Sequence, residues 1–281
     1  MKAWQAVALS VILTLFFGTL ITRWLMGYTT LDTNASAPST SEGAPDFSVY
    51  AGLLAAHATP TGFDFKAARQ DLQLEQSYAL FAALDNRIQG SEDERYAQEI
   101  NAYNLIVLVG ITRNWPIETI EDMASAIEPI PGFGYFQARR YHVFGEKLSI
   151  HALDQRIRAN ALFDVRVPFS QSCGLVGCAR VDRRPLTGQN LDEELNAGVR
   201  RFLENPAFVR VNDEPKQVEI GAALFAIQEP LVALTRSRGW ADDFESALRF
   251  YGQGAPDLLR ALDQGYEIIP LPFSFAIAAA R

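Results

Sequence analysis

The stretch SEDERYAQEINAYNLIVL, residues 91–108, decides the fold of this chain. It begins with a capping box, in which the hydroxyl of Ser91 can bond the amide of Glu94 while the Glu94 carboxylate reaches back. Apolar side chains then occupy more than one face of the following helix, which is typical of a helix buried on all sides. The stretch therefore predicts a deeply buried helix, which the Asn-Trp-Pro sequence at residues 114–116 brings to an end.

Helical patterns surround this segment, and strand patterns occur only downstream of it. Runs of helices beside a few short strands predict an α+β fold, with helices packed against a small, mostly antiparallel sheet. Asn190 is the expected N-cap of the helix at 191–203. The other predicted helices lie at 47–57, 72–81, 117–124, 151–158, 222–236, 243–251 and 257–262. The predicted strands lie at 135–144, after the turn at 145–147, and at 163–169, 208–211, 217–220 and 266–271.

The N-terminus predicts a membrane segment. Residues 3–22 carry no charge, and about 20 apolar residues is the length that crosses a bilayer. We therefore expect a transmembrane anchor over residues 1–26, a flexible tether rich in Ser, Thr, Pro and Gly over 27–45, and one globular domain over 46–281. Lys2 precedes the apolar segment, which predicts a cytoplasmic N-terminus and an inner-membrane protein with its domain in the periplasm. A cleaved signal peptide is the alternative.

Composition restricts the partners. The hydrophobic content of 48% is enough for a packed core. The formal net charge of −8 argues against a nucleic-acid partner, which would need a basic surface. Besides the inner membrane, we expect a small peptide-like ligand or another envelope protein, and we expect no cofactor.

The two cysteines of the chain, Cys173 and Cys178, are five residues apart. In an exported protein such a pair forms a short-loop disulfide, contains an activated thiolate, or consists of two inert buried thiols. The sequence leaves these three states open. Two cysteines without matched histidines are half of a zinc site, so no metal is expected.

Four blocks of the sequence, in order and at fitting distances, resemble the DUF547 domain family. The fourth block contains the predicted helix that starts at residue 191. In addition, residues 272–275 are similar to an aromatic motif at the end of the family domain. The four blocks are residues 100–108, 144–155, 165–178 and 190–203.

The resemblance implies an architecture similar to papain-like thiol hydrolases, with Glu, His and Cys at the site. On that basis Cys178 matches the nucleophile and Cys173 the other cysteine of its block, while Asp154 stands where the family has Glu. Such a thiol needs a nearby imidazole, oriented by a carboxylate or an amide, to become a good nucleophile.

The chain departs from the family pattern where the imidazole should be. Pro168 occupies the position of the family histidine, and Gln155 replaces a second one. Ala179 and Glu99 replace a proline and a tryptophan. His151, one helical turn before Asp154, is the candidate for a substitute base.

Three further residues are candidates for ligand binding. Asn101 and Asn104 lie on one face of the predicted helix and could line the site, or they could be buried amides that tie loops together. Arg180 could bind a carboxylate of the ligand, or it could belong to a solvated loop. Two functions follow from the sequence: thiol-dependent hydrolysis of amide or isopeptide bonds, or a catalytically degenerate relative that binds a ligand or protein.

Overall fold

The computed structural model describes residues 18–22, 24–35, 46–84 and 90–280. Residues 18–22, 24 and 25 are helical. From residue 46 onward, the α-helices are α1 (Ser48–His57), α2 (Phe65–Ala68), α3 (Leu72–Ala83), α4 (Glu92–Asn114), α5 (Ile150–Ala159), α6 (Leu191–Glu204), α7 (Ala222–Ala226), α8 (Gln228–Ser237), α9 (Phe244–Tyr251) and α10 (Pro256–Asp263). Its strands are β1 (Thr29–Leu31), β2 (Ala58–Thr59), β3 (Gly62–Phe63), β4 (Arg139–Val143), β5 (Glu146–Leu148), β6 (Val209–Asn212), β7 (Gln217–Gly221) and β8 (Glu267–Leu271). Short 3₁₀ turns lie at Ile120–Met123 and Val167–Phe169, and a π turn at Gly134–Ala138.

The strands of the described residues form three small sheets, with the orders β1-β4-β5, β2-β3 and β6-β7-β8. The α+β class is confirmed. The expectation of one sheet is corrected to three, and the pairings among the described strands are mostly antiparallel. The exceptions are β1, which pairs parallel to β4, and β8, which pairs parallel to β7. Four helices separate β7 from β8, which gives the chain the crossover that a parallel pair requires.

Helix α4 is the buried centre that the sequence predicts, and it ends at Asn114. The hydroxyl of Ser91 accepts from the amide of Glu94 over 3.1 Å. The reciprocal half of the capping box is wrong, because the Glu94 carboxylate accepts instead from the amide of Gly188 and from Gln98, each over 2.6 Å. The start of α4 is thereby tied to the loop that precedes α6.

Two hydrophobic clusters form the core, one around α4 and one around α6 and the third sheet. Arg166 lies between them and is 1% exposed. Its guanidinium donates to Asp164 over 2.6 Å, to Asp192 over 2.7 Å and to Asn196 over 2.7 Å. Because its charge is paired, this buried arginine joins the two clusters through polar bonds.

Two predictions concern the N-terminal region, namely a membrane anchor and a flexible tether. The predicted anchor over residues 1–26 lies mostly outside the described residues, and none of the helices described is both long and apolar enough to cross a membrane. Part of the predicted tether is in contact with the domain: Thr29–Leu31 form β1, and the carbonyl of Leu31 accepts from the hydroxyl of Tyr78 over 2.6 Å.

The strand predicted at 163–169 is wrong, since Val167–Phe169 form a 3₁₀ turn with Pro168 in its first residues. Proline fixes φ and lacks the amide that a central strand must donate. The helix predicted at 222–236 is two helices, separated at Ile227. Asn190 makes no side-chain cap on α6, because its Oδ1 accepts from the amide of Thr187 over 2.7 Å.

Candidate functional site

Five of the residues that the sequence singles out line one cleft of 230 Å³: His151, Asp154, Pro168, Cys173 and Cys178. Helix α4, the π turn, α5, the segment 168–179, α7 and the tail after β8 each contribute to its walls. The lining residues are Tyr103, Phe136, Ile150, His151, Asp154, Arg158, Pro168, Gln171, Cys173, Gly177, Cys178, Ala179, Ala223 and Phe273.

A disulfide joins Cys173 to Cys178 at this cleft, with a Cα–Cα distance of 5.7 Å. This distance is ordinary for a disulfide. Of the three states that the sequence leaves open, the structure therefore contains the bridged one. Cys178 carries no free thiol here, and a thiolate nucleophile is not part of the site in this state.

Contacts on both sides hold the disulfide loop in place. Gly174 follows Cys173 with a φ of +77°, and a Cβ at this position would lie 2.1 Å from a side-chain carbon of Ile111. Only glycine combines this backbone conformation with so close an approach. From the π turn, the hydroxyl of Tyr135 donates to the carbonyl of Cys173 over 2.9 Å.

Arg180 is part of this support and does not line this cleft. Its Nη1 donates to the carbonyls of Leu175 and Cys178, each over 3.0 Å. Its guanidinium also lies 5.1 Å from the ring centre of Phe208. Burial lowers the pKa of Arg180, since it removes water from the charged form. The side chain is thus engaged in holding the loop and does not line the cleft.

Asn101 and Asn104 are buried amides that tie loops to α4, which is one of the two roles that the sequence leaves open, and neither lines this cleft. The side-chain amide of Asn104 donates to the carbonyl of Ser170 over 2.9 Å and accepts from the amide of Ser172 over 2.7 Å. Asn101 makes the same two bonds to the carbonyl and amide of Leu186, over 2.7 and 3.0 Å. One turn of α4 thereby holds two loops, and Asn104 holds the one that leads to the disulfide.

Asp154 and His151 both line the cleft from α5. In the described part of the chain, however, Asp154 is paired with Arg158 over 2.8 Å and not with His151. Burial raises the pKa of Tyr103 well above its ordinary value, and the charge of Asp154 raises it further. Tyr103 therefore stays neutral and offers the cleft a phenol.

The described residues include all three histidines of the chain, and His151 alone lines the cleft. His57 bonds Asp71 over 2.8 Å and His142 bonds Asp32 over 3.0 Å, both away from the cleft. Pro168, at the position of the family histidine, is also in the cleft wall. The cleft thus has proline where the resemblance expects a base. Within the described residues, no group of three His, Cys, Asp or Glu side chains could hold a metal ion.

Sequence reasoning missed Gln171 as a cleft residue. It is 7% exposed, and its Nε2 has no hydrogen-bond partner among the described residues. A buried donor without a partner is rare in folded proteins and often marks a place for a ligand or water. No local pattern in the sequence indicates this role.

The C-terminal tail closes one side of the cleft. Backbone amides of Val176 and Gly177 donate to the carbonyls of Ala276 and Ser274, over 2.8 and 3.1 Å. The Phe273 ring packs so closely on Gly177 that a Cβ there would lie 2.6 Å from it. The aromatic tail motif thus belongs to the site, although no local pattern indicates its contact with the cysteine loop.

One family model matches part of this chain. Residues 88–203 match the family model "Protein of unknown function, DUF547". This region contains α4, α5, the disulfide loop and most of α6, which together supply most of the cleft. No curated protein and no solved structure matches the chain.

Proposed function

We propose that this protein, a member of the DUF547 family through residues 88–203, binds a small peptide-like ligand in the cleft and does not cleave it. The observation that carries the proposal is the pairing of a disulfide at Cys178 with a proline at position 168 in the wall of an open cleft. Thiol-dependent hydrolysis needs a thiolate and a base within hydrogen-bond reach. Here the thiol is bridged and proline stands at the family position of the base, while the cleft is open.

The chemistry of the walls supports a peptide-like ligand. Tyr103, Phe136 and Phe273 offer an aromatic surface, and Gln171 offers an amide whose donor has no partner in the described structure. His151, Asp154 and Arg158 provide polar groups at the same cleft. A site of 230 Å³ is at the small end of ligand pockets, so one or two residues of a peptide would fill it.

We also propose that the protein is anchored in the inner membrane by residues 1–26, with the domain outside the cytoplasm. The uncharged stretch at 3–22 supports the anchor. The disulfide supports the location, because such bonds persist in oxidising compartments and are rare in the cytosol. The ligand would then be a small peptide or a segment of another envelope protein.

Hydrolysis is the second candidate, and it has one observation in its favour. His151 and Asp154 line the same cleft as Cys178. A dithiol that reduces the disulfide would leave two thiols, and His151 could then take the proton of Cys178. This version retains the papain-like character that the family resemblance implies and requires a reductant for any activity.

The two candidates are separated by one experiment with N-acetyl-phenylalanine N-methylamide, which has an amide bond on each side of an aromatic side chain. Binding to the full chain is measured by saturation-transfer NMR, and the probe is analysed by mass spectrometry after incubation with and without dithiothreitol. We expect saturable binding and an intact probe in both conditions. Cleavage that appears only after reduction would favour the second candidate.

A matched pair of variants shows where the probe binds. Ala223 lines the cleft from α7, and Ala226 is exposed on the same helix outside the cleft. Ala223→Phe should weaken binding about tenfold or more, which corresponds to about 1.4 kcal/mol. Ala226→Phe should leave it unchanged. Equal effects of the two variants would contradict binding in this cleft.

A further inference from the structure

Two exposed apolar segments lie side by side at the N-terminal end of the described structure. The helical residues Leu20, Ile21 and Trp24 are 47%, 55% and 77% exposed, and Ile127 and Ile130 are 43% and 52% exposed. We call these five residues the N-terminal apolar patch. Exposed apolar side chains gathered in one place mark an interaction site more often than single ones do.

Backbone and ring contacts join the two segments. The amide of Ile127 donates to the carbonyl of Leu25 over 2.9 Å. Two residues further along, Gly27 lies against Ser125, and the rings of Tyr28 and Phe133 meet edge to face at 5.9 Å. The loop at 125–133 is therefore fixed to the end of the segment that contains Trp24.

The loop is held in shape from within. The Glu128 carboxylate accepts from the amides of Ser125 and Gly134, over 2.9 and 3.0 Å. Although burial opposes its charged form, these hydrogen bonds hold the pKa of Glu128 below its ordinary value. With its one acidic group turned to its own backbone, the loop presents Ile127 and Ile130 outward.

We infer that the N-terminal apolar patch rests on a lipid bilayer, with Ile127 and Ile130 in its headgroup region. The chain that leads into the patch selects this occupant: residues 3–22 are uncharged and apolar over the length of one crossing. Arg23 and Trp24 follow this stretch, and tryptophan is enriched where a protein meets the membrane surface. An anchor that ends at Trp24 brings the attached loop to that surface.

This contact would orient the cleft. The π turn Gly134–Ala138 follows the loop directly, and its Phe136 lines the cleft. A domain held by the anchor and by the loop cannot rotate freely about its tether. The inference shares the anchor with the proposed function and is independent of ligand binding in the cleft.

Depth-dependent fluorescence quenching tests the inference. The full chain is reconstituted in phosphatidylcholine vesicles that contain lipids brominated at a defined acyl position. Ile127→Cys and Ile130→Cys are each labelled with bimane without reductant, so that the native disulfide stays closed. Asp257→Cys on α10 is the control, because the Asp257 side chain is 85% exposed on a helix of the second hydrophobic cluster. Thermal unfolding of each labelled protein checks that the fold is kept.

We expect shallow brominated lipids to quench the labels at 127 and 130 about threefold more than the label at 257, since interfacial apolar groups insert about 5–10 Å into the bilayer. Equal quenching at the three positions, in a chain that stays with the vesicles after alkaline carbonate extraction, would overturn the docking and leave the anchor intact. Loss of the chain on extraction would overturn both. Labels at 127 or 130 that are shielded only in a dimer of the chain would also overturn the inference, because a second copy would then cover the patch.

Discussion

Replacing Asn104 by alanine should damage the cleft and the stability of the fold together. Its amide bonds the carbonyl of Ser170 and the amide of Ser172, and both serines are buried. In Asn104→Ala these two backbone groups lose their partner. A buried polar group left unpaired costs about 1–3 kcal/mol, so we expect a loss of about 2–5 kcal/mol in the free energy of unfolding.

Asn101→Ala is the matched control. Asn101 lies one helical turn from Asn104 and makes the same two hydrogen bonds, but to the backbone of Leu186. The expected loss of stability is the same, but the loop it releases does not line the cleft. Asn104→Ala should therefore weaken binding of N-acetyl-phenylalanine N-methylamide and speed reduction of the disulfide, whereas Asn101→Ala should change neither.

The assay is urea unfolding followed by circular dichroism, with binding measured where both variants remain folded. With a urea m-value of about 3 kcal/mol/M, a loss of about 3 kcal/mol lowers the midpoint by about 1 M. A loss below about 0.5 kcal/mol, typical of a surface substitution, would refute the reasoning for Asn104. Equal loss of binding in the two variants would refute its special link to the cleft.

Three further predictions follow from the same structure. Reducing the Cys173–Cys178 bond frees a loop of six residues in the unfolded chain, so the free energy of unfolding should fall by about 2 kcal/mol while the fold is kept. Urea unfolding with and without dithiothreitol measures this fall. A global loss of structure on reduction would contradict the prediction. Gln171→Met should leave the urea unfolding midpoint unchanged or raise it, since it removes a buried donor without a described partner. It should nevertheless weaken binding of N-acetyl-phenylalanine N-methylamide. Marked destabilisation would contradict the prediction, because it would show that the Gln171 amide has a hydrogen-bond partner. Burial raises the pKa of Tyr96 to about 12, above the pKa of a tyrosine in the unfolded chain. The stability that neutral Tyr96 contributes is therefore fully present below pH about 10 and is lost as the pH rises to about 12. Following tyrosinate absorbance together with unfolding, and comparing with Tyr96→Phe, tests this, and an unchanged alkaline profile in the variant would contradict it.

The parts of the fold that local sequence determines were predictable. The pattern of residues 91–108 gives α4 together with its Ser91 cap, and the pairing of β6 with β7 follows from the two short apolar runs there. The incorrect predictions concern features that depend on contacts between distant parts of the chain. Glu94 turns away from Ser91 because Gly188 approaches it from another part of the chain, and β1 forms only because β4 offers it an edge.

The cleft was predicted in part, for the same reason. Cys173, Cys178, Asp154 and His151 do line one cleft, since they belong to family blocks that are close in space. The sequence left two roles open for Asn101, Asn104 and Arg180, because their hydrogen bonds reach loops whose positions no local pattern indicates. Gln171 and Phe273 were not predicted as cleft residues, since neither stands in a pattern with chemical meaning by itself.

The central claim, that this cleft binds without cleaving, rests on the state of one sulfur atom. Intact-mass measurement after brief iodoacetamide treatment of the native chain, without reductant and near neutral pH, tests it most directly. The account predicts no added mass before reduction, two modified cysteines after reduction and unfolding, and an intact N-acetyl-phenylalanine N-methylamide throughout. Rapid modification of Cys178 alone in the untreated protein, together with cleavage of that probe, would contradict it.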